Sequence, residues 1–330
     1  MNVYLLLGLT SLILTLILTP VIRRGSARLG LVDAPGGRKV HLRSVPRLGG
    51  LAICLASVAA IFLVAAARPG TIDTPTWVAM RPLVLAAVVI FLVGLIDDVR
   101  GLGAGPKLLC EFGAAGLVMS SGLLIEDITL LGRTWPLGWF AWPVTITWLV
   151  GLTNAFNLID GIDGLAPGIV ALAGSACGII LIARGHSGEA MLLAVLVGGA
   201  MGFLVFNFAP ASIFLGDSGS LVFGFLLAAT AITGWQKGAT ALAAGVPLMI
   251  FALPIADGAL ALARRVVAMP VDGRSIKSTL RQVAQPDREH IHHRLLSLGW
   301  SVRRTVLVLY GITAVLSLLA LATAEVNTSR

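Results

Sequence analysis

The chain has 330 residues, 57% of them hydrophobic and only 12% charged. A soluble domain carries about 25% charged residues, so this composition excludes an ordinary soluble protein and points to lipid as the solvent. The net charge of +8 would mean a basic face on a nucleic-acid binder, but no nucleic-acid module is present and a loop bias accounts for the charge.

Apolar runs of about 20 residues recur down the chain, each long enough to cross a bilayer as a helix. Residues 3–20 form the first predicted span. No small-residue cleavage site follows it, so it reads as a retained helix. Further spans are expected over 49–67, over 82–96 (ending on Asp97-Asp98) and over 107–125. A loop with Trp135, Trp139 and Trp142 reads as an interfacial aromatic belt. Spans five to seven cover 143–153, 165–183 and 190–206. The segment FNFAPASIFLGDSGS leads into the eighth, which ends near 235; the ninth covers 242–262 and the tenth ends near 322. The expected fold is an all-α polytopic membrane protein of about ten transmembrane helices, forming one integral-membrane domain over residues 1–330. Cys54, Cys110 and Cys177 fall inside apolar runs and read as packing residues.

Lys and Arg set the orientation. The loops after spans one, three and nine carry most of them, whereas the other side holds only Arg68, Arg81, Arg133, Arg184, Lys237 and Arg330. By the positive-inside rule the first set is cytoplasmic and the N-terminus lies outside. Cytoplasmic loops are then expected over 21–47, 97–106, 154–164, 207–216 and 264–304.

One stretch carries the densest polar signal. NAFNLIDGIDGLA places Asn154, Asn157, Asp160 and Asp163 at three-residue spacing between very apolar neighbours. That spacing suits one face of a helix, while Gly161 and Gly164 equally suit a helix end or a tight turn. A polar loop between spans is the plain reading; amides and carboxylates beside hydrocarbon usually mark function.

The topology, set from basic residues alone, brings Asp97, Asp98, Asp160, Asp163 and Asp217 to one cytoplasmic face. Two unit charges 4 Å apart repel by about 4 kcal/mol at an effective dielectric near 20, so these carboxylates need a cation. Oxygen ligands without a thiol suit Mg²⁺ or Mn²⁺ better than zinc. Mg²⁺ takes one or two carboxylates, so not all five can be ligands. Asp97 and Asp98, about 100° apart on a helix, cannot both face one point; one can bind metal while the other orients a neighbour.

Basic loops supply the complement. DAPGGRKVHLRSVPRLGG carries Lys39 and Arg43, and PDREHIHHRLL carries His290, His292, His293 and Arg294. Zinc has no matching second ligand pair there. Phosphate suits Arg and His better, and a solvated loop helix is the plain alternative.

NAFNLIDGIDGLA, LIDDVRGLGAGPK, FLGDSGS, DAPGGRKVH and EHIHHRLL, in this order and spacing, resemble the polyprenyl-phosphate N-acetylhexosamine-1-phosphate transferases, a superfamily that includes phospho-N-acetylmuramoyl-pentapeptide transferase. The resemblance covers about residues 30–296. It implies that a polyprenyl phosphate attacks the β-phosphorus of a UDP-sugar, giving polyprenyl-diphospho-sugar and UMP with Mg²⁺ required. It implies Asp217 and Asn157 as metal ligands. Asp97 and Asp98 match the paired aspartates at the lipid phosphate, and Lys107 matches the basic residue after them. Asn207 and Phe214 match nucleoside positions, while Asp160 and Asp163 fall in the motif that shapes the nucleotide site, with Asn154, Lys39 and Arg43 beside them. His290, His292, His293 and Arg294 match the loop covering diphosphate and sugar. The implied partners are polyprenyl phosphate, UDP-sugar and the lipid bilayer of a bacterial cytoplasmic membrane, with a homodimer as an option.

Phospho-N-acetylmuramoyl-pentapeptide transferases have three consecutive histidines in the last loop, whereas this chain reads His290-Ile291-His292-His293. That favours the HexNAc-1-phosphate branch, some of whose members have an eleventh span. An ion-coupled carrier is the rival class. Carriers place ionisable residues near the midplane, often in inverted repeats, and neither feature is visible here.

Overall fold

Long apolar runs cannot leave backbone groups unpaired in lipid, and here they pair as helices. The computed structural model describes residues 2–33, 44–130, 133–235, 245–267 and 291–328. Its helices are α1 (Val3–Arg28), α2 (Gly49–Ala67), α3 (Thr74–Arg100), α4 (Ala104–Ser120), α5 (Ala141–Ile159), α6 (Leu165–Ala183), α7 (Ser187–Asn207), α8 (Asp217–Trp235), α9 (Gly245–Ile250), α10 (Ala252–Val267), α11 (Ile291–Ser297) and α12 (Val302–Thr328). Among the described residues, seven are long and apolar enough to cross a membrane: α1, α2, α3, α6, α7, α8 and α12. The chain is a polytopic all-α membrane protein.

The helices are turned inside out relative to a soluble bundle. On α1 the buried positions include Ser11, Thr15 and Thr19, while Leu5, Leu9, Ile13 and Ile17 face outward. Lipid accepts the aliphatic face, and small or hydroxyl side chains allow close helix contact. Ser11 Oγ donates to the Val195 carbonyl of α7 at 2.7 Å. A Cβ on Gly198 would lie 2.0 Å from the Gly8 carbonyl oxygen, so α1 and α7 approach backbone to backbone. The larger core gathers around α5, α6 and α8, with Phe156, Phe203, Phe223, Phe225 and Phe251 fully buried.

Several expected boundaries are corrected. The first span runs on to Arg28, so the basic loop 21–47 begins inside a helix. Asp97 and Asp98 lie in the last turn of α3, not in a loop 97–106, because the helix continues to Arg100 and closes on Gly101. The fourth span starts at Ala104, which puts Lys107 in a helical first turn. The stretch 154–164 is half helix: Asn154 and Asn157 are on α5, Asp160 caps its end, and Gly164 takes φ +84° before α6. The ninth span is broken at Phe251 into α9 and α10. Within 264–304, α10 extends to Val267, and α11 and the start of α12 supply further helix. The loop 207–216 falls between α7 and α8 as expected, apart from Asn207 itself, which ends α7.

Two small antiparallel pairs complete the fold. Val32–Asp33 (β1) pairs with Val45–Pro46 (β2), and Asp127–Leu130 (β3) with Arg133–Pro136 (β4). The second pair carries Trp135, while Trp139 and Trp142 follow it; all three are exposed.

Candidate active site

The site is built where helix ends meet. The last turn of α3 packs on the first turn of α8, and glycine makes the contact possible. A Cβ on Gly94 would lie 2.5 Å from the Asp217 carbonyl oxygen, and one on Gly50 would lie 2.2 Å from the Gly219 nitrogen. The N-terminus of α8 is thus held between α2 and α3. Gly216, at φ +78°, leads into it; a Cβ there would strike both carboxylate oxygens of Asp98. The first amides of α2 fix the preceding loop, with Gly49 and Gly50 N–H donating to the Phe214 and Leu215 carbonyls at 2.9 and 2.7 Å.

Asp97 and Asp98 face different groups. Asp98 is buried and accepts from the Asp217 N–H (2.8 Å), the Ser218 N–H (3.0 Å) and the Ser218 hydroxyl (2.6 Å). Its carboxylate satisfies the donors of a helix N-terminus, where negative charge is favoured. Asp97 accepts from the Leu102 N–H and from Lys107 Nζ at 3.2 Å. Lys107 Nζ also donates to Asp217 at 2.7 Å. One ammonium thus serves the Asp97 and Asp217 carboxylates together.

The central stretch approaches from α5 and the turn after it. Asn154 donates to Glu111 of α4 and to the Val150 carbonyl. Asn157 is partly exposed and makes no side-chain hydrogen bond among the described residues. Asp160 is half-buried; lost hydration first, then the charges of Asp217, Asp98 and Asp163, hold its carboxyl well above the usual range. Asp163 accepts from the Ala211 N–H at 2.8 Å and so ties this turn to the loop before α8. Asn207 is buried, with both ends of its amide used: it accepts from the Gly164 N–H at 3.0 Å and donates to the Ile213 carbonyl at 2.9 Å. It braces the two loops. Phe214 is partly exposed in the same loop.

Four residues were missed by sequence reasoning. Glu111 is 1% exposed, a carboxyl inside a predicted span. An ionisable residue at such a place is itself a signal. Ser218 is the hydroxyl partner of Asp98. On α12, Arg303 donates to the Ala209 carbonyl at 2.8 Å and Tyr310 to the Gly164 carbonyl, bracing both loops from a helix remote in sequence. No spacing pattern could have revealed that.

The last loop and the first are only partly visible. His290, Lys39 and Arg43 lie outside the described residues. So do the side chains of His292 and His293, whose backbone lies on α11; Arg294, on the same helix, is exposed.

The polar groups of the site share one end of the bundle, formed by the C-termini of α3, α5 and α7 and the N-termini of α2, α4, α6, α8 and α12. Residues 80–235 match the model of "Glycosyl transferase family 4". A probable undecaprenyl-phosphate N-acetylglucosaminyl 1-phosphate transferase of Bacillus subtilis (strain 168) is 36% identical, over 95% of this chain and 83% of that protein. The chain belongs to glycosyl transferase family 4. Further relatives carry one or the other of two named activities. The decaprenyl-phosphate N-acetylglucosaminephosphotransferase of Mycobacterium tuberculosis (strain ATCC 25618 / H37Rv) is 35% identical over 92% of this chain and 78% of its own. The phospho-N-acetylmuramoyl-pentapeptide-transferase of Synechococcus sp. (strain JA-3-3Ab) is 34% identical over 93% and 87%. The family match spans α3 to α8, the helices that contribute Asp97, Asp98, Lys107, Asn154 and Asp217.

Proposed function

We propose that this chain transfers a HexNAc-1-phosphate, GlcNAc-1-phosphate first among the candidates, from a UDP-sugar to a polyprenyl phosphate. The single observation that carries the reading is the Asp97–Lys107–Asp217 group at one end of a lipid-spanning bundle, in a chain that belongs to this transferase family. A lipid-tailed acceptor can keep its tail in the bilayer while its phosphate meets a soluble nucleotide there. An oxygen of the polyprenyl phosphate attacks the β-phosphorus, the bond from that phosphorus to the bridging oxygen breaks, and UMP leaves.

Such a displacement needs alignment and charge neutralisation more than a strong base. A phosphate monoester with a second pKa of about 6 is already largely ionised at neutral pH. Asp97 then positions the lipid phosphate, with Lys107 as the basic residue beside it. Asp98 acts through α8, whose first turn it holds. Asn154, Asp160, Asp163, Asn207 and Phe214 frame the nucleotide. Lys39, Arg43, His290, His292, His293 and Arg294 close on the diphosphate and sugar from the loops.

Asp217 and Asn157 would hold Mg²⁺, whose preference for oxygen ligands suits a carboxylate and an amide carbonyl, while Asp97 shares the Lys107 ammonium with Asp217. Among the described residues no three His, Cys, Asp or Glu side chains form a ready cage, and Mg²⁺ uses only one or two carboxylates, completing its shell with water and substrate phosphate. The ion would supply charge neutralisation on the transferring phosphoryl group.

The polar end is assigned to the cytoplasm, with the N-terminus outside, because the basic loops join helices at that end. A reporter fused after Arg281 should therefore read cytoplasmic and one fused after Arg133 external; the reverse pair would overturn the assignment. If the last loop grips the diphosphate, His292→Ala should lower kcat/KM for UDP-sugar about ten- to a hundredfold, the cost of one charge-assisted hydrogen bond. Unchanged kinetics with a lowered melting temperature would make the loop structural.

The sugar is tested by offering UDP-GlcNAc, UDP-GalNAc and UDP-MurNAc-pentapeptide separately and weighing the lipid product by mass spectrometry. GlcNAc transfer is expected. Exclusive use of the pentapeptide donor would move the chain to the other named activity of its relatives.

A further inference from the structure

Glu111 is the buried carboxyl that the proposed reaction does not use. It lies on α4, one helical turn after Lys107, at 1% exposure. A carboxyl so placed inside a helical bundle is costly, and its local compensation is thin. One oxygen accepts from Asn154 Nδ2, and that amide is shared with the Val150 carbonyl. The other oxygen accepts no hydrogen bond among the described residues. A carboxylate can accept several, so Glu111 holds a spare acceptor. It also lies within electrostatic reach of Lys107 and Asp217.

Lys107 is the natural donor for it. Side chains four apart on a helix are neighbours, with Cβ atoms about 5–6 Å apart. A lysine ammonium on its flexible stem sweeps that distance and turns its three donors freely. In the present structure the ammonium stands between Asp97 and Asp217, at 3.2 and 2.7 Å. That is where a divalent cation bound by Asp217 would be repelled by it. The ammonium holds Asp217 Oδ2, and two like charges a few Å apart repel, so a divalent ion at that carboxylate favours a displaced ammonium.

We propose that Glu111 is a positioning residue: it is the second seat of Lys107, receiving the ammonium when a divalent cation binds at Asp217. The inference rests on the metal reading above. It explains why a carboxyl is tolerated in the core at this point and not elsewhere on α4. It also gives Asn154 a role, since its amide holds Glu111 in place from α5.

The test is Mn²⁺ binding, followed by electron paramagnetic resonance on the purified full-length protein in detergent without nucleotide-sugar. Four forms are compared: wild type, Lys107→Gln, Glu111→Gln and the double variant. Glutamine keeps an acceptor for Asn154 and nearly the same shape, so Glu111→Gln removes charge with little change in packing. Lys107→Gln should tighten Mn²⁺ binding, because the competing ammonium is gone. Glu111→Gln should weaken binding about tenfold when Lys107 is present and less than about threefold when it is glutamine, the non-additivity expected of two residues acting as a unit. Equal effects of Glu111→Gln in both backgrounds would reduce Glu111 to a plain nearby charge and overturn the proposal. Unchanged or weaker binding in Lys107→Gln would overturn it as well. Absence of Mn²⁺ binding in every form would remove the metal reading itself, and this inference with it.

Discussion

Asp217→Asn should lower turnover about a thousandfold or more, equivalent to roughly 4 kcal/mol of transition-state stabilisation, while the protein stays folded in detergent. The asparagine is nearly isosteric. Asp217 opens α8, where a negative charge contributes only about 0.3–1 kcal/mol to helix stability through the dipole. Its carboxylate lies 2.7 Å from Lys107 Nζ, which also donates to Asp97. Neutralising it removes the anion that a divalent cation and the ammonium both address, so the loss falls on chemistry. The check is initial-rate kinetics alongside a melting curve. Normal activity at limiting Mg²⁺ would remove Asp217 from any metal site.

Asp98→Ala should do something different. Three donors converge on that carboxylate: two N–H groups at the start of α8 and the Ser218 hydroxyl. Alanine strands them in a buried place, and each unsatisfied buried donor costs about 1–3 kcal/mol. A stability loss of roughly 3 kcal/mol or more is expected, read as a lowered melting temperature, with activity falling because α8 no longer presents Asp217 correctly. Asp97→Ala should leave the melting temperature closer to wild type and act on the rate. Adjacent aspartates thus separate into a residue that holds a helix and a residue that faces the site. If Asp98→Ala melts like wild type yet is inactive, Asp98 touches substrate directly and the helix-holding role is wrong.

The sequence made the spans visible because lipid demands long apolar helices, and their centres need little beyond hydropathy to be found. Their ends are set by other forces. Hydropathy stops at Ile96, but hydrogen bonding carries α3 to Arg100, so Asp97 and Asp98 turn out helical. Likewise α1 keeps its hydrogen bonds through Arg23, Arg24 and Arg28, whose side chains can reach water from a helix. The break at Phe251 lies three residues before Pro254, which has no N–H to donate to the Ile250 carbonyl, so the proline was the available signal.

The paired aspartates, the polar stretch 154–163 and the GDSGS turn were legible because polar residues stand out against hydrocarbon. Which atom each one faces was not. That depends on the close approach of α2, α3 and α8 at Gly50, Gly94 and Gly219, a three-body contact with no periodic trace in sequence. Glu111 was legible in principle and was overlooked, since a carboxyl amid apolar neighbours is its own signal. Arg303 and Tyr310 were not, because they act through long-range contacts to backbone carbonyls.

The central claim is a phosphoryl transfer between a soluble nucleotide-sugar and a lipid phosphate, and UMP release tests it most directly. Purified protein in Mg²⁺ is given UDP-GlcNAc with and without polyprenyl phosphate, and UMP and the lipid product are counted together. The expected result is UMP formed only when the lipid acceptor is present, one for each polyprenyl-diphospho-sugar. No UMP with any UDP-sugar, or UMP release that ignores the lipid acceptor, would contradict it.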